Sequence, residues 1–254
     1  MSDALPSVSV VIPVRDEAAA IGPLIDEISH TLDGKAFEVI VVDDGSQDGT
    51  YHILMALETR HPWLHALHHP RSRGQSTAIR TGVRHARAPL IVTLDGDGQN
   101  PPDQIPLVLA ALEADRSGRL GLVQGQRAAR HDSLAKRLGS RFANLVRAAL
   151  LKDGVRDSGC GLKAFRREAY FDLPFFDHIH RFMPAMMLRE GWQVQTVAVT
   201  HRPRKSGRSK YSNLARGLVG VPDLLGAAWL IMRSGRHDLE AQEPASPGPP
   251  TKEA

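Results

Sequence analysis

The sequence VSVVIP at residues 8–13 is a continuous apolar run rich in β-branched residues, and FEVIVV at residues 37–42 is a second. Two more apolar runs follow, at residues 90–94 and 120–123. Runs of this kind are typical of parallel strands that are buried on both faces of a sheet. Amphipathic, helix-like stretches alternate with them, at residues 18–32, 48–59, 74–86 and 104–114. The alternation predicts a doubly wound α/β sheet.

The second half of the chain is less regular. Its apolar spacing predicts a long helix at residues 133–151, a short helix at 184–189 and a strand at 193–199. Residues 237–254 are rich in Pro, Glu, Ala and Ser, a composition that predicts a disordered tail.

Charge is distributed unevenly over the 254 residues. The formal net charge of +4 combines −5 in residues 1–127 with +9 in residues 128–254. An acidic half suits a metal ion, whereas a basic half suits phosphate, an anionic membrane surface or nucleic acid, although a solvated charged face explains such a bias equally well. The only cysteine, Cys160, excludes an intrachain disulfide and indicates a reducing compartment.

Residues 217–232 (GLVGVPDLLGAAWLIM) form the most apolar stretch. A membrane-spanning helix needs about 20 apolar residues, so this stretch is too short and is interrupted by Pro222 and Asp223. It is predicted to lie in a membrane interface, with Trp229 as an anchor and flanking charges at Arg216, Arg233 and Arg236. The alternative is a helix that packs on the protein's own core.

Three polar clusters follow predicted strands, at residues 13–17 (PVRDE), 43–46 (DDGS) and 95–99 (DGDGQ). Ligands of open α/β sheets bind beyond the carboxyl ends of the strands, where these clusters are expected to meet. Acidic groups that converge on one edge repel one another unless a cation or ligand donors lie between them.

The Asp95-x-Asp97 spacing predicts a metal site. A turn at Gly96 brings both carboxylates near one point, and Gln99 adds a neutral oxygen. Mg²⁺ or Mn²⁺ takes oxygen ligands from one or two carboxylates together with substrate phosphates. An isolated DxD is usually an ordinary turn, but the position at a strand end favours the metal.

The other clusters leave more than one interpretation open. Asp43 and Asp44 suit hydrogen bonds to a ribose or a base edge, while Asp48 is interpreted as a helix cap. Gly74 and Gln75 begin a helix whose free amides either face the nucleotide or merely start the helix. Cys160 lies between two glycines and is interpreted as a small packed residue. Four clustered histidines are predicted to be surface residues, namely His61, His65, His68 and His69.

Seven motifs in order resemble glycosyltransferase family 2, and within it the branch of dolichyl- or polyprenyl-phosphate sugar synthases of the mannose type, in its bacterial members. They are VVIPVRDE, VVDDGSQDGT, RGQSTAIRTG, LDGDGQNPPD, DSGCGLKAFRRE, HRFMPA and HRPRKSGRSKY, within about residues 7–233. The resemblance implies a GT-A fold and inverting transfer from a nucleotide-sugar, such as GDP-mannose or a UDP-sugar, to a polyprenyl phosphate.

The resemblance also implies roles for individual residues. Donor contacts fall on Pro13, Val14, Glu17, Asp43, Asp44, Gly74, Gln75, Asp95, Gly96 and Asp97. The implied ligands of the metal, Mg²⁺ or Mn²⁺, are Asp95, Asp97 and Gln99. The residues expected to bind the acceptor phosphate are Arg127, Lys136, Ser140, Arg202 and Lys210. The expected catalytic residues are Asp97 and Arg202.

The family implies an organisation as well. Residues 1–233 form the GT-A domain, with a nucleotide-sugar half at 7–127, an acceptor half at 128–211 and a membrane-interface region at 212–233, and a tail follows at 234–254. Asp16 stands where the family often has Asn, and Gly159-Cys160-Gly161 stands where many members have Ser-Gly-Phe. Many bacterial relatives carry two C-terminal membrane helices that this sequence lacks. Together with the missing signal sequence, this predicts peripheral attachment to the cytoplasmic face of the inner membrane.

Three competing functions are less consistent with these residues. A family 2 enzyme that glycosylates a sugar hydroxyl needs a carboxylate base, whereas the region 127–210 is basic. A nucleic-acid-binding module leaves the acidic strand ends unexplained and has few aromatic residues, which make up 5% of the chain. A catalytically inactive binding protein would not need intact Asp95, Asp97 and Gln99.

The acid-free segment RPRKSGRSKY at residues 202–211 is predicted to be a lid. Its basic residues cannot bury an apolar face, and two phosphorylated substrates would supply the opposite charges that order it. Arg202 and Lys210 are the residues expected to contact phosphate. The alternative is a basic loop that only attracts lipid.

Overall fold

In this computed structural model the described part of the chain comprises residues 5–127, 147–203 and 213–233, with seven strands, seven complete helices and the helical residues 147–151. The strands are β1 (Val8–Val14), β2 (Phe37–Asp43), β3 (Leu64–His68), β4 (Leu90–Thr93), β5 (Leu120–Arg127), β6 (Lys163–Arg166) and β7 (Gln193–Val199). The helices are α1 (Ala18–Thr31), α2 (Thr50–Glu58), α3 (Gln75–His85), α4 (Ile105–Glu113), α5 (Arg167–Phe171), α6 (Met183–Arg189) and α7 (Asn213–Met232). Short 3₁₀ turns lie at Pro102–Gln104 and Ile179–Arg181.

The strands form one mostly parallel sheet in the order β3-β2-β1-β4-β6-β5-β7. Parallel pairs join β1 to β2 and β4, β2 to β3, and β5 to β7, whereas β6 is antiparallel to both β4 and β5. The chain leaves β1 toward β3 and then returns to the other side of β1 as β4. The carboxyl ends of β1 and β4 therefore flank a topological switch point, where ligands bind in open α/β sheets.

Helices cover both faces of this sheet, as the alternating pattern predicted. One apolar cluster contains Ile21 and Ile25 of α1, Leu54 of α2 and Val108 of α4. The cluster on the opposite face joins α3, α5, α6 and α7. Successive residues of β1 alternate between the clusters, with Val10 in the first and Val11 in the second. This two-sided burial explains why β1 and β2 are continuous apolar runs.

Two strands lie outside the apolar runs that indicated the first half of the sheet. β3 is an edge strand, and most of its residues are only partly buried. β6 is four residues long and has the sequence KAFR, in which Lys163 is nevertheless buried. The strand predicted at 193–199 is β7, and the short helix predicted at 184–189 is α6 with one more residue at its start. The helix predicted at 133–151 lies mostly outside the described residues, which include its helical end at 147–151.

Helix α7 has two different faces. Its inner face contributes buried Ala227 and partly buried Leu224, Leu230 and Ile231 to the second apolar cluster. Its outer face exposes four large apolar side chains, Val221, Leu225, Trp229 and Met232, by 55–76%. Among the described residues, no helix is both long and apolar enough to span a bilayer.

Candidate active site

A cavity of about 710 Å³ opens at the switch point, and it collects residues from both halves of the chain. Eleven of the predicted site residues line it, namely Pro13, Val14, Glu17, Asp44, Gly74, Gln75, Asp95, Gly96, Asp97, Gln99 and Arg127. Asp43 and Arg202 are placed elsewhere. Lys136, Ser140 and Lys210, together with residues 204–211 of the predicted lid, lie outside the described residues.

Asp95 and Asp97 follow β4 directly and form the acidic wall of the cavity. Asp95 accepts hydrogen bonds from Gln75 Nε2 at 2.9 Å and from Asn100 Nδ2 at 3.4 Å. Burial and the neighbouring charge of Asp97 raise the pKa of Asp95, against the opposing effect of Lys163. Two carboxylates that disfavour each other's charge are the arrangement that a bound cation relieves.

The third predicted metal ligand lies beside this pair. The Gln99 amide donates to Asp97 Oδ1 at 3.1 Å, and its side-chain nitrogen donates to the Arg202 carbonyl at 3.4 Å. This second contact uses the nitrogen of the Gln99 side chain rather than its oxygen. Within residues 5–127, 147–203 and 213–233, no group of three or more His, Cys, Asp or Glu side chains forms a metal site. Two carboxylates and one amide oxygen fit Mg²⁺ or Mn²⁺, which complete their coordination with phosphates and water.

Basic residues line the same cavity. Arg127 at the end of β5 pairs with both oxygens of Asp157, at 2.5 and 2.7 Å. This pairing raises the pKa of Arg127 and holds its guanidinium in one orientation. Lys163 on β6 is 3% exposed and donates to the Cys160 carbonyl. Burial lowers the pKa of Lys163, while the carboxylate of Asp95 acts in the opposite direction.

Cys160 packs in the first apolar cluster with no exposed surface, as the sequence predicted. Burial raises the pKa of its thiol. A protonated, enclosed thiol is a poor nucleophile, so Cys160 acts as a packing residue.

Asp44 fastens the loop that leads into α3. Its carboxylate accepts bonds from the Arg73 and Gly74 amides at 2.8 and 2.9 Å, and from Ser72 Oγ at 2.7 Å. Burial opposes its ionisation, but these bonds and one from His69 together lower the pKa of Asp44. Gly74 has φ +87°, a conformation that glycine adopts without strain. Asp44 thus both lines the cavity and positions the first turn of α3.

One expectation about this region needs correction. His69 is 8% exposed rather than a surface residue, because its ring bridges Asp44 Oδ1 at 2.8 Å and Thr81 Oγ1 at 3.0 Å. Asp43 is fully buried below the cavity and contacts Ser46 and His68. A donor contact from Asp43 remains a prediction. In the structure its carboxylate is hydrogen-bonded to Ser46 and His68 at the end of β2.

The first polar cluster is held against the second. Asp16 has φ +54° and accepts a bond from the Gln47 amide at 2.7 Å, while its own amide donates to Ser46 Oγ. Asn and Asp are the non-glycine residues that adopt this conformation most readily, so Asp16 fits a position where the family often has Asn. Asp48 accepts bonds from the amides of Ala18 and Thr50 and so joins the starts of α1 and α2.

Arg202 lies beside the cavity rather than in its wall. Its guanidinium pairs with both oxygens of Glu27 on α1, at 3.1 and 2.5 Å. Its amide donates to the Gln99 carbonyl at 2.9 Å, so its backbone is tied to the predicted metal ligand. Phosphate binding by Arg202 remains a prediction, and it requires the guanidinium to exchange Glu27 for substrate.

Sequence reasoning missed several residues that line the cavity, among them Ser72, Lys163, His180 and Arg181. His180 shares a 2.8 Å hydrogen bond with Ser76 Oγ through Nδ1. Burial and the nearby charges of Lys163 and Arg181 hold the pKa of His180 well below its usual range, so the imidazole is neutral. Lys163 lies in the motif DSGCGLKAFRRE, and His180 and Arg181 lie in HRFMPA. These motifs were the features of the sequence that could have identified the three residues.

This sheet and cavity define a class of protein, the glycosyltransferases with the GT-A fold. Two solved structures share the fold. One is glucosyl-3-phosphoglycerate synthase from Mycobacterium tuberculosis in complex with Mn²⁺, uridine diphosphate and glucosyl-3-phosphoglycerate (TM-score 0.66, 21% identity, 91% of this chain and 80% of that chain). The other is a mannosyltransferase from Pyrobaculum calidifontis in complex with GDP-Man and Mn²⁺ (TM-score 0.59, 22% identity, 90% and 70%).

The chain belongs to glycosyl transferase family 2, whose model matches residues 9–173. It is 31% identical over 234 residues to a dodecaprenyl-phosphate galacturonate synthase from Rhizobium johnstonii, covering 90% of this chain and 68% of that protein. It is 33% identical over 216 residues to an undecaprenyl-phosphate 4-deoxy-4-formamido-L-arabinose transferase from Yersinia pestis, covering 84% of this chain and 64% of that protein. The chain thus spans about two thirds of the length of these relatives.

Proposed function

We propose that this glycosyltransferase moves a sugar from a nucleoside-diphosphate sugar to a polyprenyl phosphate, with inversion at the anomeric carbon. The observation that carries the proposal is a single cavity lined by the Asp95–Asp97 pair and by the basic residues Arg127 and Lys163. A diphosphate leaving group needs a cation, and an incoming phosphate needs fixed positive charge. The names of the curated relatives support a polyprenyl-phosphate acceptor.

The acceptor phosphate needs little general-base help. A phosphate monoester is already anionic near neutral pH, since its second pKa is about 6. Asp157 is paired with Arg127, so it serves to orient the guanidinium rather than to take a proton. Arg127 and Lys163 neutralise the acceptor, together with the predicted contacts at Lys136, Ser140, Arg202 and Lys210. A transferase that acts on a sugar hydroxyl would instead need a free carboxylate beside the acceptor.

The donor half holds the nucleotide-sugar. The Asp44-fastened loop, Gly74 and Gln75 form the wall next to Asp95, where the diphosphate is expected to lie. Asp95, Asp97 and Gln99 would hold a divalent cation, Mg²⁺ or Mn²⁺, which when bound stabilises the departing diphosphate as a Lewis acid. Solved structures of the same fold contain UDP or GDP-Man, so the sugar and the base are questions for experiment rather than for the fold.

The outer face of α7 supports attachment to a bilayer. An α-helix turns by about 100° per residue, so Val221, Leu225, Trp229 and Met232 fall within an arc of about 80°. An exposed apolar stripe with a Trp, next to Arg233, is the composition of a helix that lies in the membrane interface. A lipid acceptor requires such contact, and the buried, unpaired thiol agrees with a reducing compartment. We therefore place the protein peripherally on the inner face of the cytoplasmic membrane.

A transfer assay tests the proposed function. Purified protein is incubated with polyprenyl phosphate, Mg²⁺ or Mn²⁺, and labelled UDP- or GDP-sugars that carry glucose, mannose, galacturonate or 4-deoxy-4-formamido-L-arabinose. We expect label from one donor to enter the organic phase only when the lipid phosphate is present. Transfer to a sugar hydroxyl without lipid phosphate would support the alternative and overturn this proposal.

A further inference from the structure

Asp223 is the only charged residue within the apolar stretch 217–232 of α7. It lies on the inner side of the helix with its side chain 22% exposed, and Oδ2 accepts a 2.8 Å hydrogen bond from His178 Nδ1. A carboxylate in a largely apolar contact is unfavourable unless a donor satisfies it. The His178 contact therefore fixes where this part of α7 sits on the protein.

His178 itself has an unusual backbone. Its φ is +63°, in the left-handed region, and its amide donates to Asp177 Oδ1 at 2.8 Å. A non-glycine residue in this region is unfavourable and persists when its surroundings hold it. The bond to Asp223 is one of those restraints. His178 directly precedes the 3₁₀ turn Ile179–Arg181, so its position sets the start of that turn.

The turn then enters the wall of the cavity. His180 and Arg181 both line it, and His180 shares a hydrogen bond with Ser76 in the first turn of α3. The neighbouring residue of α3, Gln75, donates to Asp95. A continuous set of contacts thus leads from the membrane-facing helix through Asp223 and His178 to the residues that line the cavity.

From this arrangement we infer that His178 is a positioning residue that couples the seating of α7 to the cavity. When the apolar stripe of α7 rests on a bilayer, the His178–Asp223 bond holds the turn Ile179–Arg181 in the conformation that serves transfer. The inference rests on the proposed function. It adds that the membrane activates the enzyme as well as supplying its lipid substrate.

The test uses a water-soluble, short-chain prenyl phosphate, which vesicles do not concentrate. Vesicles of phosphatidylethanolamine and phosphatidylglycerol are expected to raise wild-type kcat by about fivefold or more, a typical coupling between two sites. His178→Gly keeps the left-handed backbone but loses the bond to Asp223. This variant should float with vesicles and keep the vesicle-free rate, yet show no stimulation. His178→Asn, which tolerates positive φ and offers an amide donor, should restore the stimulation.

A second readout is independent of transfer. In wild type and His178→Asn, hydrogen exchange of the amides of Arg181 and Phe182 should slow on vesicle binding, because both amides donate within this turn. In His178→Gly it should not. If no donor is turned over while this exchange pattern holds, the proposed function fails and the coupling stands. Wild type that does not bind vesicles, equal stimulation in His178→Gly, or unchanged exchange in vesicle-bound wild type would each overturn the coupling.

Discussion

Asp95 is held between residues from three parts of the chain. Gln75 and Asn100 donate to its oxygens, and Gly161, in the turn before β6, lies against its carboxylate. A Cβ added at Gly161 would overlap this carboxylate, whereas one added at Gly159 would meet nothing closer than 3.8 Å. The absence of a side chain at 161 therefore leaves room for the Asp95 carboxylate in the acidic wall.

Gly161→Ala should accordingly lower transfer by about 10²-fold or more, because a displacement of about 1 Å in a catalytic group has effects of this size. The matched control is Gly159→Ala, two residues away in the same turn, which should keep wild-type turnover. Steady-state rates with saturating Mn²⁺ and donor decide the point. Equal activities of the two variants would mean that Gly161 does not set the position of Asp95.

Asp97 shares the acidic wall with Asp95, and its charge is one cause of the raised pKa of Asp95. Asp97→Asn removes a predicted metal ligand and should reduce kcat by about 10²–10³-fold, the size of a lost charge-stabilising contact. Excess EDTA should abolish wild-type transfer. Asp26→Asn, which changes an exposed carboxylate on α1, is the control. Full activity of Asp97→Asn, or of wild type in EDTA, would exclude the metal role.

The structure brings predicted site residues into one cavity where a polar cluster directly follows a strand, and their roles stay predictions. Asp44, Asp95 and Asp97 line the cavity because the end of a strand fixes the position of the next residues. Lys163 and His180 could not be assigned in the same way. They are separated from Asp95 by 68 and 85 positions in the chain. Pairing of β6 with β4 brings Lys163 near it, and a hydrogen bond to Ser76 holds His180 at the start of α3.

At the scale of elements, β2 is tied to its neighbours by a buried carboxylate. Glu38 is 1% exposed and accepts bonds from Ser9 Oγ on β1 at 2.6 Å and from the Arg87 amide and Nε, just before β4, at 2.7 and 2.9 Å. Burial opposes its charge, but these bonds lower the pKa of Glu38 below its ordinary value of 4.5. The stability that this charge contributes is therefore present above that value and is lost as the pH falls below it.

Glu38→Gln should reduce the free energy of unfolding at pH 7 by about 1.5–3 kcal/mol, the range for hydrogen bonds to a charged group. The deficit should shrink as the pH falls below 4.5, because the contribution of the Glu38 charge is lost there. Urea denaturation at several pH values measures it. Glu113→Gln removes an exposed pair with Lys35 and should change little. A deficit that is independent of pH would contradict the role of the charge.

Helix α7 makes a prediction about membrane binding. Burying one large apolar side chain contributes about 1.5–3 kcal/mol, so Leu225→Ser with Trp229→Ser should weaken binding to anionic vesicles by at least about tenfold. Leu107 on α4 is also exposed, by 45%, and lies outside the α7 stripe, so Leu107→Ser should leave the affinity unchanged. Flotation at low salt compares them. Equal affinity of the double variant and wild type would show that α7 does not contact the bilayer.

Elements were predictable in proportion to how completely the sheet buries them. β1 and β2 pack on both faces and are mostly apolar, whereas β3 lies at an edge and carries two histidines. β6 was hard to predict because it contains Lys163, and a charged residue usually indicates an exposed position. Lys163 is buried instead, and it donates to a carbonyl of the preceding turn. Helix α7 packs one face on the core, as one alternative predicted, and exposes apolar side chains on the other face, so its place in a membrane interface stays a prediction.

At the scale of the whole molecule, the acidic and basic parts of the sequence both contribute charged residues to one cavity. The acidic first half supplies Asp95 and Asp97, and the region that begins at Arg127 supplies Lys163 and Arg181. The sheet brings the halves together, because β6 returns antiparallel beside β4 and carries its lysine toward the acidic pair. In the proposed function, this cavity would neutralise both a donor diphosphate and an acceptor phosphate.

The measurement that tests this account most directly is ³¹P NMR of the lipid product. If the acceptor phosphate is the nucleophile, each sugar transferred converts one lipid phosphomonoester into a phosphodiester, and the product mass rises by one sugar residue. The account predicts that the monoester signal falls and the diester signal grows in equal amounts, at a rate that depends on the divalent cation. A glycosylated product that retains its phosphomonoester signal would contradict it.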